Sequence, residues 1–221
     1  MSNTSSEAAI IAIGNPGSGK STILNAIAGE VLFKSGISFG QGLTDQLNVR
    51  EYNGRKFIDT PGIADDTYRK QAGEAITTAF QKGGPHKIIF FVQTESGRIV
   101  SQDITTMKLV LDAAPEIGRK YGIIINQVPK NVMLGLKTAE NAAILCTKLF
   151  VGIDETHRHD NILFLPKLDE LEAENNKIVD MCKFPDLEEF LNFKVPIINL
   201  TKGKAREVKT SDFENINAIV E

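Results

Sequence analysis

The stretch AAIIAIGNPGSGKST, residues 8–22, decides how the rest of the chain is read. An apolar run from Ala8 to Ile13 has the character of a buried strand. It enters a turn with glycine at 14, 17 and 19, and Lys20-Ser21-Thr22 open a segment whose apolar positions Ile23, Leu24 and Ile27 recur at helical spacing. Strand, GxxxxGK(S/T) and helix in that order make a phosphate-binding loop. A polyphosphate wrapped by backbone N–H groups needs the main chain to come close, which side chains at Gly17 and Gly19 would obstruct. The helix start aims unpaired N–H groups and a partial positive charge at the same anion. Gly14, Asn15, Pro16, Gly17, Ser18, Gly19, Lys20, Ser21 and Thr22 are therefore the expected nucleotide-binding residues. Lys20 is to stabilise the outer phosphates and the Ser21 hydroxyl is to ligate Mg²⁺.

With 221 residues, 42% hydrophobic and 24% charged, the chain suits one soluble globular domain. A net charge of −3 argues against a broad nucleic-acid or anionic-membrane footprint, so no nucleic acid is expected. Cys146 and Cys182 form no CxxC pair and suit free thiols in a reducing compartment. No apolar run approaches the roughly 20 residues that span a bilayer. The opening MSNTSSEAA lacks the basic region of a signal peptide. A cytoplasmic protein is the expectation.

Residues 30–46 show neither helical nor strand periodicity, and a connection that long is usually functional. Thr44 in this switch-like loop is the candidate second hydroxyl for Mg²⁺. Leu47–Tyr52 and Arg55–Ile58 flank Asn53-Gly54, a strong hairpin signal. The second strand runs into Asp59-Thr60-Pro61-Gly62, where Asp59 is placed to organise Mg²⁺ and Gly62 to sense a terminal phosphate. Residues 64–82 suit a helix. Further strands are expected over Lys87–Val92, Gly122–Ile125 and Asn161–Leu165, with helices starting near Ser101 as N-cap, over Thr138–Phe150 and around Asp186–Phe193. His157 and His159 are expected in a solvated loop, and His86 in a turn.

This alternation predicts an α/β domain: a mostly parallel six-stranded sheet with one antiparallel edge strand and helices on both faces. A flexible N-terminus over 1–7, a G domain over 8–193 and a C-terminal extension over 194–221 are the expected divisions. Ligands of such sheets bind at the carboxyl ends of the strands, where Gly14, Asp59, Arg98 and Asn126 fall.

The chain resembles septin-like P-loop GTPases, closest to the immunity-associated nucleotide-binding (GIMAP) family and more loosely to the chloroplast import receptor GTPases. GNPGSGKST at 14–22, GLT at 42–44, DTPGIAD at 59–65 and the box GRIVSQD at 97–103 carry the resemblance, which covers roughly 8–193. It implies Mg²⁺-dependent hydrolysis of GTP to GDP, a nucleotide-dependent homodimer formed across the nucleotide face, and a possible peripheral membrane association. Two departures matter. The base-reading motif, NKxD or TKxD in the family, reads Asn126-Gln127-Val128-Pro129, without an Asp in register. A rival register places the base-reading pair at Lys167 and Asp169. Ile63 follows Gly62 where efficient GTPases carry a water-orienting Gln, so the monomer is expected to be slow. Arg98, in the box, is the candidate arginine finger reaching a neighbour's phosphates.

Overall fold

The computed structural model describes residues 7–36, 47–62, 77, 78, 80, 81, 83–171 and 174–200. Its elements run β1 (Ala9–Gly14), α1 (Lys20–Ala28), β2 (Asn48–Tyr52), β3 (Arg55–Asp59), β4 (Gly84–Glu95), β5 (Arg98–Ile99), α2 (Ser101–Ala113), β6 (Gly122–Val128), α3 (Lys130–Gly135), α4 (Ala139–Leu149), β7 (Ile162–Pro166), α5 (Leu187–Glu189) and β8 (Ile198–Leu200). A π-helical turn, Phe190–Lys194, continues α5.

Six strands line up in the order β2-β3-β1-β4-β6-β7. The pairs β1/β3, β1/β4, β4/β6 and β6/β7 are parallel, and β2 is the antiparallel edge. This is the predicted α/β G-domain sheet. The edge hairpin turns at Asn53 and Gly54, both with positive φ (49° and 78°), as a two-residue turn matched to strand twist requires. Two short strands add to the path, β5 and β8, each antiparallel to β4.

Period-two alternation sorts the strands' side chains onto two faces. Ile11, Ile13, Ile88, Phe90, Val92, Ile123 and Ile125 pack with Met107, Val110 and Leu111 of α2 and Leu149 of α4. Ile10, Ala12, Ile89, Phe91 and Ile124 pack on the other face with Ile23 and Leu24 of α1 and Leu187, Phe190 and Leu191 of the α5 region. The central strands are apolar on both faces because helices cover both. Among the described residues no helix is long and apolar enough to cross a membrane.

Several local expectations shift. The helix expected over 64–82 lies mostly outside the described residues, although Phe80 is buried there. Val100, not Ser101, occupies the N-cap of α2, and the helix expected over Thr138–Phe150 is α4, with Thr138 as its N-cap accepting from the Asn141 N–H. His86 is not in a turn: it lies in β4, 5% exposed, opposite Ala9. Nor are the two loop histidines solvated. The His157 ring Nδ1 lies 2.8 Å from the Gly118 carbonyl, and its own carbonyl accepts the buried Tyr121 hydroxyl at 2.8 Å. His159 packs edge-on against Tyr121, with ring centroids 4.2 Å apart. Residues beyond 193 also enter the core, since Ile198 and Leu200 are buried in the first cluster.

Candidate functional site

β1 delivers the loop to the carboxyl edge of the sheet, beside the end of β3. The first bond of α1 runs from the Ile23 N–H to the Gly19 carbonyl at 3.0 Å. The N–H groups of Gly19, Lys20, Ser21 and Thr22 therefore have no acceptor within the helix, and their dipoles sum at the loop's mouth. Gly19 has φ 86°, and a Cβ there would lie 2.2 Å from Asn126 Nδ2, so glycine is required twice over. Lys20 opens the helix yet is only 6% exposed. Its ammonium donates to the carbonyls of Gly14 at 3.0 Å and Asn15 at 3.1 Å, curling over the loop. Burial pulls its pKa down, opposed by the Asp59 and Asp103 carboxylates.

Asp59 ends β3, fully buried. Ser21 Oγ donates to Asp59 Oδ2 at 2.7 Å. Thr60 ties this strand end to β1, its hydroxyl donating to the Ala12 carbonyl at 2.8 Å. The next turn brings Gly62 against Pro16: a Cβ at Gly62 would stand 2.1 Å from Pro16 Cδ. The two motifs, nearly forty residues apart in sequence, are thus in van der Waals contact. A Ser hydroxyl and a carboxylate in direct contact form a hard-oxygen donor pair, which suits Mg²⁺. Thr44, the proposed further ligand, lies outside the described residues, as does Ile63.

Asn126 and Gln127 both reach the loop, which adjacent strand residues ordinarily could not do. An irregularity in the β6/β7 register between Ile125 and Val128, with Gln127 at φ 57°, breaks the alternation. Asn126 Nδ2 donates to the Ser18 carbonyl at 2.9 Å, and Gln127 Nε2 to the Gly17 carbonyl at 2.6 Å. Gln93, at the end of β4, donates to the same Gly17 carbonyl at 3.2 Å. Pro129 then caps α3, so no carboxylate stands in the register of a base-reading Asp. Lys167 follows β7, one strand over. Its side chain is exposed and its N–H donates to the Val128 carbonyl at 2.9 Å.

The structure also recruits residues to which the motifs assign no role. Asp103 and Thr106 of α2 hold the Asn15 side chain, at 2.6 and 2.8 Å. Burial pushes the Asp103 carboxyl up to about 6, against the pull of the Gln93 N–H, the Asn15 amide and Lys20. The only prior signal was its place in the GRIVSQD box. Arg98 is not drawn to the loop. It is exposed and lines a groove of about 710 Å³ with Ile99, Ile104, Leu136, Ile144 and Lys148, making no ion pair among the described residues.

Comparison with known proteins bears on the family and the fold. Residues 9–127 match the family described as 50S ribosome-binding GTPase. The probable GTP-binding protein EngB of Mycoplasma pneumoniae is 31% identical over 121 residues, a match spanning 53% of this chain and 60% of that protein. Among solved structures, Toc33 from Arabidopsis thaliana in complex with GDP and Mg²⁺ superposes with a TM-score of 0.55 at 17% identity over 88% of each chain. A structure of the chloroplast translocon components atToc33 and psToc159, for which dimerization is important for the GTPase activity, gives 0.58 at 15% identity, covering 85% of this chain and 82% of that one. At such identities these structures speak to the fold.

Proposed function

From the premise that the chain belongs to the 50S ribosome-binding GTPase family, we propose that it is a Mg²⁺-dependent GTPase of GIMAP-like type, slow as a monomer and accelerated by dimerisation across the nucleotide face. The observation that carries the reading is the convergence of the buried Lys20 ammonium and the Ser21–Asp59 pair on one helix N-terminus. Lys20 and the N–H groups at the start of α1 meet the negative charge of the outer phosphates, so catalysis is positioning and electrostatics more than covalent chemistry. Ser21 and Asp59, with Thr44, are the residues to hold Mg²⁺, which when bound neutralises phosphate charge. Gly62, packed on Pro16, lets a change at the terminal phosphate reach the segment that follows it. Dimerisation being important for activity in atToc33 and psToc159 supports the dimer reading, with Arg98 as the residue offered to the neighbour.

A second reading, a nucleotide-gated dimerising scaffold with negligible turnover or relaxed base specificity, is favoured by one observation. Pro129 and the start of α3 occupy the register of the guanine-reading carboxylate. Calorimetric titration of the nucleotide-free protein with GDP, GTP and ATP analogues, with and without Mg²⁺, separates the two. Preference for guanine nucleotides, with phosphate release per protein rising with protein concentration, upholds the GTPase. Equal binding of ATP and GTP without turnover sinks it in favour of the scaffold.

A further inference from the structure

The GxxxxGK(S/T) motif leaves its second position open. Here that position is tied down at both ends of its side chain. Asn15 Nδ2 donates to Asp103 Oδ1 at 2.6 Å, and Asn15 Oδ1 accepts from Thr106 Oγ1 at 2.8 Å. Asp103 and Thr106 are three apart on α2, so both lie on one face of that helix. The other carboxylate oxygen of Asp103 accepts the Gln93 N–H at 2.7 Å, fixing it to the end of β4. Asn15, Asp103 and Thr106 are exposed by 5%, 2% and 3%. The main chain of Asn15 is equally committed: its carbonyl accepts the Lys20 ammonium at 3.1 Å and the Ser18 N–H at 3.3 Å.

We propose that Asp103 is a positioning residue of the nucleotide site, acting through the Asn15 amide to hold the first turn of the phosphate loop and, with it, the Lys20 ammonium. The proposal rests on the nucleotide-binding reading above. A carboxylate is an expensive way to fill a core position, since burial disfavours its charged form, as the rise of its pKa to about 6 reflects. What it secures is a fully partnered set of bonds between a loop and a helix, the arrangement that fixes one geometry most firmly. The loop itself contributes glycines and cannot supply that rigidity. Displacing Asn15 releases the carbonyl on which Lys20 rests, at the point where phosphate charge is to be met.

The test uses the full chain and four variants. Asn15→Ala and Asp103→Ala remove the link from either end. Asn15→Asp sets two carboxylates against each other, and the exchange Asn15→Asp with Asp103→Asn restores every bond with the roles reversed. In the exchanged pair Asn donates to the Asp at 15 and still accepts the Gln93 N–H, while Thr106 donates to the Asp at 15. GDP–Mg²⁺ affinity is measured by calorimetry beside melting curves of the nucleotide-free proteins. The expected result is affinity weakened about tenfold or more in the Ala variants and in Asn15→Asp. In the exchanged pair it should return to within about threefold of wild type. Ala variants that melt near wild type and bind GDP as tightly overturn the proposal, as does a folded exchanged pair no better than Asn15→Asp. A wild type that binds no nucleotide overturns the functional reading and this proposal with it, and is told apart by the wild-type titration alone.

Discussion

Ser21 Oγ and Asp59 Oδ2 are 2.7 Å apart, so a hydroxyl at the start of α1 and a carboxylate at the end of β3 already share one proton between them. Ser21 and Asp59 are the residues that would hold a metal ion there, which would supply positive charge against the phosphates. Ser21→Ala removes the proposed metal ligand together with the hydroxyl that donates to Asp59 Oδ2. Hydrogen bonds and ligands to charged groups are worth about 1.5–3 kcal/mol each, so Mg²⁺-dependent tightening of nucleotide binding should fall about tenfold or more. Titration with and without Mg²⁺ reads this directly; an unchanged Mg²⁺ effect refutes the assignment.

Gly62→Ala should disturb the phosphate loop through Pro16. Its Cβ meets Pro16 at 2.1–2.4 Å, so either the loop or the turn after Asp59 must move. Nucleotide affinity is expected to drop and stability to fall by about 1–3 kcal/mol. Denaturant unfolding of the nucleotide-free protein gives the second quantity, and an unchanged midpoint contradicts the contact.

Two buried groups give opposite slopes of stability with pH. Burial raises Asp103 to about 6 from an ordinary 3.8, so the folded state holds its proton more tightly. Its penalty is fully present above pH 6 and is relieved as pH falls toward 4, by about 3 kcal/mol at most. Burial lowers His159 to about 4 from 6.5, so the folded state resists protonation there and this group's contribution is lost as pH falls from 6.5 to 4. Unfolding measured across pH 4–7 should show His159→Phe gaining on wild type as pH drops. Asp103→Asn should lose ground to wild type over the same range, and the reverse order would show that burial does not govern these two groups.

Arg98 is exposed and lines a groove shared with Lys148. If it serves a neighbour, Arg98→Ala leaves GDP affinity of the monomer unchanged and abolishes the rise of turnover with protein concentration. The loss is expected to be large, since arginine fingers contribute about 10³ to 10⁵ in rate. Phosphate release at several protein concentrations checks it, and a concentration dependence surviving in the variant removes Arg98 from that role.

Leu200 is 4% exposed and pairs with Gly84 across the foot of β4. Leu200→Ala should cost about 2–5 kcal/mol, as for other buried leucines. Chemical denaturation measures it; a cost near zero would mean that β8 merely rests on the domain.

The parts legible in the sequence are those whose geometry is local. Gly19 must be glycine because of its own φ, Asn53-Gly54 because of its own turn, and the apolar runs of β1, β4 and β6 because both faces are covered. What stayed illegible depends on distant partners. α3 starts directly after Pro129, within a stretch that carries no long apolar period. His157 and His159 follow a polar string, yet Tyr121, nearly forty residues earlier, packs on His159 together with Phe150 at the end of α4. Gln127 reaches the phosphate loop only because a bulge turns it, and one extra residue in a strand leaves no compositional trace. Asp103 was visible as part of a box, but its partner Asn15 lies at a motif position that admits any residue.

β8 has a consequence for how the chain comes into being. β4 is the middle of the sheet, and its first residues wait for Ile198 and Leu200, which are made more than a hundred residues later. During synthesis β1, β3 and the body of β4 can pair while the foot of β4 keeps open hydrogen-bonding groups and an uncovered apolar seam. Closure is a late, long-range event of the kind that slows folding. A polypeptide that stalls between Lys130 and Val195 would thus carry the residues that hold the phosphate loop on an unfinished sheet, a species exposed to aggregation and to proteases until β8 arrives.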